Sequence, residues 1–234
     1  MSAAAALLVG YGADLVLGDP RRGHPVAGLG QLAALLERRS WRDRRSAGAL
    51  HAGALVIGAA ASVRALEQAA ARIPGGRPAL VALVTWTALG GRSLASCGRR
   101  LADLMEAGDV AGARALAPTH VGRDPPTLDG PGRCRAAVES IAENTADAVL
   151  GPLAWCALAG PAGAAAYRAA NTLDAMIGHR SPRYARFGTA AARLDDVLTW
   201  PVARAGALLA VALAPAAGGH CAEAGRVLRR DGAR

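Results

Sequence analysis

Long stretches without a charged side chain constrain the fold of this chain more than any other feature. Residues 46–63, 148–167 and 205–222 contain no Asp, Glu, Lys or Arg over 18, 20 and 18 positions. Two shorter stretches, 2–13 and 78–91, are also uncharged. A helix needs about 20 residues, with 17 to 25 tolerated, to cross a hydrocarbon core about 30 Å thick. Two or three of these stretches are therefore long enough to cross a membrane alone.

The composition favours helices that pack closely inside a bilayer over a water-soluble core. Of 234 residues, 59 are Ala and 29 are Gly, whereas only one is Phe and three are Tyr. Small side chains bury little apolar area, at about 25 cal/mol per Å², but they let helices approach each other closely in a membrane. An Ala-rich soluble protein with buried core helices stays open as the alternative.

Arginine side chains are distributed unevenly around these stretches. All 27 basic residues are Arg, and the net charge is +9. The segment 19–45, which precedes the stretch 46–63, contains seven arginines and three acidic residues: Arg21, Arg22, Arg38, Arg39, Arg42, Arg44 and Arg45 against Asp19, Glu37 and Asp43. Such a loop is typical of the cytoplasmic side, and the same interpretation applies to the C-terminal Arg226, Arg229, Arg230 and Arg234.

We therefore predict an all-α, multi-span integral membrane helical bundle in the cell (cytoplasmic) membrane, with its functional site facing the cytoplasm. Residues 1–234 form one domain in this prediction. A cytosolic helical insertion occupies about 92–147, with a surface helix over 101–117 and a Pro/Gly-rich loop over 118–132. The stretch 148–167 contains two prolines and several glycines, which predicts a broken or re-entrant segment rather than a straight span.

Two other classes of protein fit the sequence poorly. A basic chain can bind nucleic acid, but the eight aromatic residues here are not interleaved with basic ones, so we expect no nucleic-acid partner. The four cysteines are widely separated and form no CxxC pair, which favours small buried hydrophobic residues in a reducing compartment: Cys97, Cys134, Cys156 and Cys221.

Acidic residues recur at helical spacing just before the third long apolar stretch. Glu139, Glu143 and Asp147 lie at i, i+4 and i+8, so a regular helix places them on one face. Like charges at this spacing repel, and Mg²⁺ would compensate them because it takes oxygen ligands and bridges to phosphates. The alternative is a solvent-exposed acidic helix start that the helix dipole favours.

Three further blocks place polar side chains beside the apolar stretches. Arg168, Asn171 and Asp174 repeat every three residues, again on one side of a helix. Asp195 and Asp196 are adjacent, which costs repulsion unless a metal or Arg pairs with them. In the first loop, the X-Pro steps place Asp19 and His24 on a rigid turn, where a lone His is as often structural as catalytic.

Taken in order, these blocks resemble the CobD/CbiB family of cobalamin biosynthesis, the adenosylcobinamide-phosphate synthases. The similarity is carried from about Gly10 onward by D-L-V-L-G-D-P with H-P, by V-E-S-I-A-E-N-T-A-D, by Y-R-A-A-N-T-L-D-A-M, and by A-A-R-L-D-D after F-G. Members usually continue with a Ser-Pro-Asn-Ala-Gly-like segment. This chain stops at Arg234, so we expect a fragment or a shortened member without the substrate contacts of that tail.

The resemblance implies an integral membrane ligase that uses ATP and Mg²⁺. It would join aminopropanol, or its O-phosphate, to a carboxylate of adenosylcobyric acid, a corrinoid. Its partners would be the corrinoid, the amino alcohol, the lipid bilayer and other late cobalamin-assembly enzymes.

With this reaction in view, the candidate residues take roles as a hypothesis. Metal binding is assigned to Glu139, Glu143, Asp147, Asp195 and Asp196. Phosphate or nucleotide binding is assigned to Asn144, Arg168 and Arg193. Asn171 and Asp174 would position the amine or nucleotide, and Asp19 or His24 would take a proton from the amine.

Two other functions stay open at the level of sequence. One is a Mg²⁺-dependent membrane transferase that acts on a lipid or isoprenoid diphosphate, because such enzymes also need acidic motifs near the bilayer. The other is a non-catalytic scaffold or transporter, in which intramembrane charges serve as relays or hold helices together.

Overall fold

The computed structural model describes residues 1–20, 23–116 and 130–232, and these parts of the chain form helices and no strands. The prediction of an all-α protein is confirmed. The helices are α1 (Ala3–Leu17), α2 (Pro25–Ser40), α3 (Arg45–Ala70), α4 (Gly76–Ala88), α5 (Gly91–Glu106), α6 (Val110–Leu116), α7 (Gly130–Thr145), α8 (Gly151–Leu173), α9 (Thr189–Leu213) and α10 (Cys221–Asp231). Two π-helical turns, Ala146–Leu150 and Asp174–Gly178, flank α8, and a 3₁₀ turn, Ala214–Ala217, follows α9.

Four helical stretches are long and apolar enough to cross a membrane: Arg45–Ala70, Gly76–Glu106, Val138–Gly178 and Thr189–Ala217. Little of their apolar surface is buried within the protein, and large side chains such as Leu50, Ile57 and Leu208 are more than 60% exposed. Apolar surface on this scale is stable when lipid covers it. The protein is therefore a multi-pass membrane bundle, as predicted.

The apolar stretch within α8 is broken into a helical hairpin. Gly160 has φ +71° and ψ −170°, outside the helical region, and Pro161 follows it. The two arms run antiparallel, since Gly151 lies against Tyr167 and Gly163 lies against Trp155. A Cβ on Gly151 would lie 2.1 Å from the Tyr167 ring, and one on Gly163 would lie 2.6 Å from the Trp155 carbonyl oxygen. The prediction of a broken segment is confirmed, and both ends of the hairpin lie at the same end of the bundle.

Helices α1 and α4 pack side by side, in the same direction, through small residues. A Cβ on Gly10 would lie 2.5 Å from the Ala82 carbonyl oxygen, so only glycine permits this approach. At the end of α1, the fully buried Asp14 accepts a hydrogen bond from the Arg92 backbone N–H at 3.2 Å. Asp14 therefore caps α5 from another helix, and the contact fixes the turn that carries Asp19.

The loop between α8 and α9 is tied to α2 by Arg183. Its guanidinium donates to Glu37 Oε1 at 2.9 Å and lies 4.8 Å from the centre of the Trp41 ring. Tyr184 donates to the same Glu37 oxygen at 3.0 Å. The hydrogen bond with Glu37 raises the pKa of Arg183 above its ordinary value. These contacts hold the start of α9 against α2 and α3.

The region predicted as a cytosolic insertion begins with α5 rather than with a helix at 101. The chain turns at Leu89 and Gly90, and α5 then runs to Glu106 before Gly108, at φ +71°, separates it from α6. The predicted surface helix over 101–117 is thus two helices. The predicted loop over 118–132 lies outside the described residues as far as position 129.

The arginines predicted to share one membrane side lie at both ends of the bundle. Helix α9 begins beside Ile177 at the end that holds the first-loop arginines, and its 25 residues rise roughly 37 Å. Helix α10 packs on the far end of α9, where Gly225 approaches Val211. The interpretation of the C-terminal arginines as cytoplasmic together with the first loop is therefore wrong for Arg226, Arg229 and Arg230. Arg21, Arg22 and Arg234 lie outside the described residues.

Candidate functional site

Asn171 joins the two halves of a polar cluster at the open end of the hairpin. Its Oδ1 accepts a hydrogen bond from Arg168 Nη1 at 3.2 Å, and its side chain lies near the Asp147 and Asp195 carboxylates. Asp147 precedes the hairpin and Asp195 belongs to α9. Asp147 and Asn171 are 24 positions apart, and a straight helix would separate them by roughly 36 Å. The break at Gly160 brings them together.

A buried tyrosine forms the floor of this cluster. Tyr167 is fully buried, packs on the backbone of Gly151, and its hydroxyl lies 3.1 Å from Thr199 Oγ1 on α9. One turn away on the other arm, Trp155 Nε1 donates to the Leu198 carbonyl oxygen at 3.1 Å. These contacts fix both arms of the hairpin against α9. They also determine which turn of α9 lies beside Asn171, and this turn carries Asp195.

Each π-helical turn contributes an acidic residue to the cluster. Asp147 lies in the first, next to Glu143 at the end of α7. Asp174 begins the second, where a Cβ on Gly178 would lie 1.8 Å from Asp174 Oδ1. Such turns interrupt the regular i to i+4 spacing and are frequent at functional sites. The continuous acidic face predicted for a regular helix is therefore interrupted at Asp147.

The cluster carries more negative than positive charge. Asp147 and Asp195 interact with each other and with Asp174, and Asp196 interacts with both Asp174 and Asp195. Within the described parts of the chain, Arg168 is the cation that interacts with Asp147. Neighbouring carboxylates repel one another, so a cation bound beside them would stabilise their ionised forms.

Three buried polar atoms around Arg168 have no hydrogen-bond partner among the described residues. They are Arg168 Nε, Asp195 Oδ1 and Asp19 Oδ1. Asp19 lies at the end of the turn after α1, within electrostatic reach of Arg168. A buried polar atom without a partner costs about 1–3 kcal/mol, so the arrangement favours a ligand that supplies both acceptors and donors or a cation.

These atoms fit Mg²⁺ held partly by a phosphate better than a cage made of protein ligands alone. Among residues 1–20, 23–116 and 130–232, no three His, Cys, Asp or Glu side chains are grouped so that they could hold a metal ion. Mg²⁺ is usually bound through one or two carboxylates, with water and substrate phosphates as the remaining ligands. Asp147 and Asp195 would supply the carboxylates, and the Arg168 Nε–H would donate to a phosphate oxygen.

Four of the predicted site residues lie apart from the cluster or bond elsewhere. His24 Nδ1 accepts the backbone N–H of Val26 at 3.2 Å and so caps α2. Asn144 donates to the Ser140 carbonyl oxygen at 2.8 Å. Glu139 and Arg193 are exposed, and neither is among the charges that interact with Asp147, Asp174 or Asp195. Their assigned roles stay predictions.

The sequence patterns gave no role to two residues that shape the cluster, Tyr167 and Thr199. Tyr167 stands beside Arg168 in a chain with only three tyrosines, and this rarity was the available signal. Thr199 carries no such signal, because its role depends on how α9 faces the hairpin.

Comparison with known proteins decides the family. The model of the family described as CobD/Cbib protein matches residues 7–234. The chain belongs to the CobD/CbiB family. It is 54% identical over 233 residues to a protein of Mycobacterium tuberculosis named cobalamin biosynthesis protein CobD, covering 99% of this chain and 73% of that protein.

Other relatives carry the same name at lower identity. A protein of Pelobacter propionicus is 41% identical over 223 residues, covering 93% of this chain and 69% of the relative. One from Rhodobacter capsulatus is 43% identical over 215 residues, covering 87% and 67%. No solved structure matches. The chain is thus a membrane protein of a family that serves cobalamin biosynthesis.

Proposed function

We propose that this chain catalyses an ATP-dependent amide ligation in cobalamin biosynthesis. The amine of aminopropanol or aminopropanol phosphate joins a carboxylate of adenosylcobyric acid, and the product is adenosylcobinamide or its phosphate. The pathway is supported by the family and by the names of its relatives. The observation that best supports a catalytic site is the convergence of Asp147, Arg168, Asn171 and Asp195 from three separate elements.

A carboxylate must be activated before an amine can displace one of its oxygens. ATP with Mg²⁺ supplies the phosphoryl group and the positive charge for this activation. Asp147 and Asp195 would hold the metal, with Glu143 and Asp196 at the exposed rim and Glu139 farther along α7. The negative charge that these residues share is the physical reason for a cation there.

Arg168 and Asp19 take complementary parts in this proposal. Arg168 donates its unpartnered Nε–H to a phosphate oxygen, and Asn171 holds the guanidinium in place. As the amine nitrogen forms its bond to the acyl carbon, the carbon–oxygen bond breaks and phosphate leaves with the electron pair. Asp19 takes the proton that the amine loses. Asp174 orients the substrate from the second π turn, and Arg193 binds phosphate from the surface.

The proposed reaction takes place at the cytoplasmic side of the cell membrane. ATP and the soluble amino alcohol are then directly accessible to the open end of the hairpin. The arginines of α2 and of the loop after it lie at that end of the bundle, which agrees with the positive-inside rule.

The decisive experiment measures product formation from adenosylcobyric acid, ATP and each candidate amine with protein purified in detergent. We expect Asp147→Asn to reduce turnover by about 10²-fold, the usual effect of removing one electrostatic contributor. The matched control is Asp43→Asn, at an exposed aspartate 3.4 Å from Arg186 and outside the cluster. Wild-type activity in both Asp147→Asn and Asp196→Asn would remove the metal role.

The same preparation separates the other candidate functions. Turnover of an isoprenoid diphosphate without turnover of the corrinoid would identify a lipid transferase. Retention of a corrinoid by purified protein that forms no amide under any tested condition would identify a binding scaffold.

A further inference from the structure

An apolar cavity lies against the second arm of the hairpin and is lined in part by Arg168 of the polar cluster. Its volume is about 600 Å³, and it lies between α2, α3, α4 and the second arm of α8. Leu29, Val63, Leu83, Trp86 and Ala165 form its walls, and Arg168 lies at one end beside Pro20. The cavity is therefore an apolar space with a charged end.

The cavity opens toward the membrane rather than toward the interior of the bundle. Along α3 it extends from Ala59 to Leu66, a rise of roughly 10 Å away from the polar end. Leu66 is 55% exposed and Leu83 is 50% exposed, and both belong to helices apolar enough to span a bilayer. A hydrocarbon chain can enter such a cavity sideways from the lipid phase.

Arg168 lines this end of the cavity, and Asp19, which precedes the lining residue Pro20, lies within electrostatic reach of Arg168. Among the described residues, Arg168 Nε and Asp19 Oδ1 are both buried without a hydrogen-bond partner. Asp147 also acts on Arg168, so a purely anionic group would meet two carboxylates there. A group with one phosphate and one ammonium complements both atoms, because the phosphate accepts from Arg168 and the ammonium donates to Asp19.

We propose that this cavity binds a membrane phospholipid with an aminoalkyl phosphate headgroup, of the phosphatidylethanolamine class. The headgroup lies between Asp19 and Arg168, and one acyl chain lies along α3 and α4. A small soluble amino alcohol phosphate matches the polar end equally well but leaves the apolar walls uncovered. The walls therefore favour the lipid, and its headgroup occupies a position from which it competes with the amine substrate.

The test measures lipid retention by native mass spectrometry, with delipidated protein comprising residues 1–234 and equal amounts of phosphatidylethanolamine, phosphatidylcholine and phosphatidylglycerol. We expect phosphatidylethanolamine to be retained about tenfold over the other two. Phosphatidylcholine has no ammonium N–H to donate to Asp19, and phosphatidylglycerol has no ammonium. Equal retention of the three lipids would overturn the proposal.

Two variants separate the cavity from the general lipid surface. Val63→Trp fills the cavity wall, and we expect it to lower phosphatidylethanolamine retention about tenfold. Leu208→Trp adds the same side chain on the exposed face of α9, 64% exposed in the parent, and should leave retention unchanged. Thermal unfolding midpoints establish that both variants are folded.

Soluble phosphoethanolamine carries the same phosphate and ammonium groups as the lipid headgroup, so it is the alternative ligand for the polar end. If it binds wild type and Val63→Trp equally while phosphatidylethanolamine is retained no better than phosphatidylcholine, the polar end serves a soluble ligand and the lipid proposal fails. Retention is measured without ATP or corrinoid. Failure of the proposed ligation therefore leaves this result unaffected, and the two failures are distinguishable.

Discussion

The amide of Asn171 serves this site in a way that no charged side chain could. Its oxygen accepts from Arg168, and its nitrogen is free to donate toward Asp147 and Asp195, so one uncharged group connects a cation with two anions. An aspartate at this position would add another negative charge to the cluster, and a lysine would offer no acceptor to Arg168. The residue therefore fixes geometry without changing the charge that a metal must compensate.

Asp195→Asn tests whether the charge of the cluster serves function rather than stability. We expect the thermal midpoint in detergent to stay the same or rise, because the substitution removes repulsion with Asp147. Ligation turnover should fall by about 10²-fold. Asp43→Asn is the control, and both quantities should stay near wild type since exposed ion pairs contribute about 0–1 kcal/mol. A parallel loss of midpoint and turnover in Asp195→Asn would instead assign a structural role.

The hairpin of α8 determines the geometry of the site. Its arms contact each other where Gly151 meets Tyr167, and glycine is required because a Cβ would lie 2.1 Å from the ring. Any separation of the arms moves Asp147 away from Asn171. Gly160 makes the turn possible, because its positive φ is readily adopted only by glycine.

Gly151→Ala should therefore destabilise the protein by about 1–3 kcal/mol, the usual cost of overpacking, and lower turnover with it. Gly58→Ala is the matched control, since nothing lies within 4 Å of a Cβ at that position on α3. There the change should stabilise the helix by up to about 1 kcal/mol. Thermal and denaturant unfolding in detergent measure both effects. A stable, fully active Gly151→Ala protein would contradict the close contact between the arms.

The sequence was sufficient to predict that this stretch is broken, since Gly160 and Pro161 interrupt an uncharged run. It was also sufficient to single out Asp147, Asn171 and Asp195 as candidates. It could not predict that the regular spacing from Glu139 to Asp147 is interrupted, because the π-helical turn that begins at Ala146 leaves no mark in the residue pattern. His24 shows the same limit. A histidine side chain can cap a helix or accept a substrate proton, and only its hydrogen bond with the Val26 backbone N–H shows that it caps a helix.

Two of the cysteines lie at opposite ends of the helical bundle. Cys97 lies on α5, which begins beside the open end of the hairpin, where Gly90 donates to the Ala148 carbonyl oxygen at 3.1 Å. Cys221 is exposed at the start of α10, beyond the far end of α9. Cys156 is buried between the helices. The accessibility of the Cys97 and Cys221 thiols from each side of the membrane therefore shows the orientation of the bundle in the membrane.

We expect an impermeant thiol reagent to label Cys221 in intact cells and Cys97 only in inside-out vesicles. The first measurement uses Cys97→Ser with Cys134→Ser, and the second uses Cys221→Ser with Cys134→Ser, so that one accessible thiol remains in each. Labelling of both after detergent solubilisation is the positive control. The reverse pattern would place the candidate site on the outer side and remove cytoplasmic ATP as its co-substrate.

The capping of α5 by Asp14 has a consequence for biogenesis. Asp14 is fully buried, yet its backbone partner, Arg92, is synthesised 78 residues later. Until then the first helix would carry an unsatisfied carboxylate into hydrocarbon, which is costly. We therefore expect the N-terminal segment to enter the bilayer together with α4, after residue 92 has been synthesised.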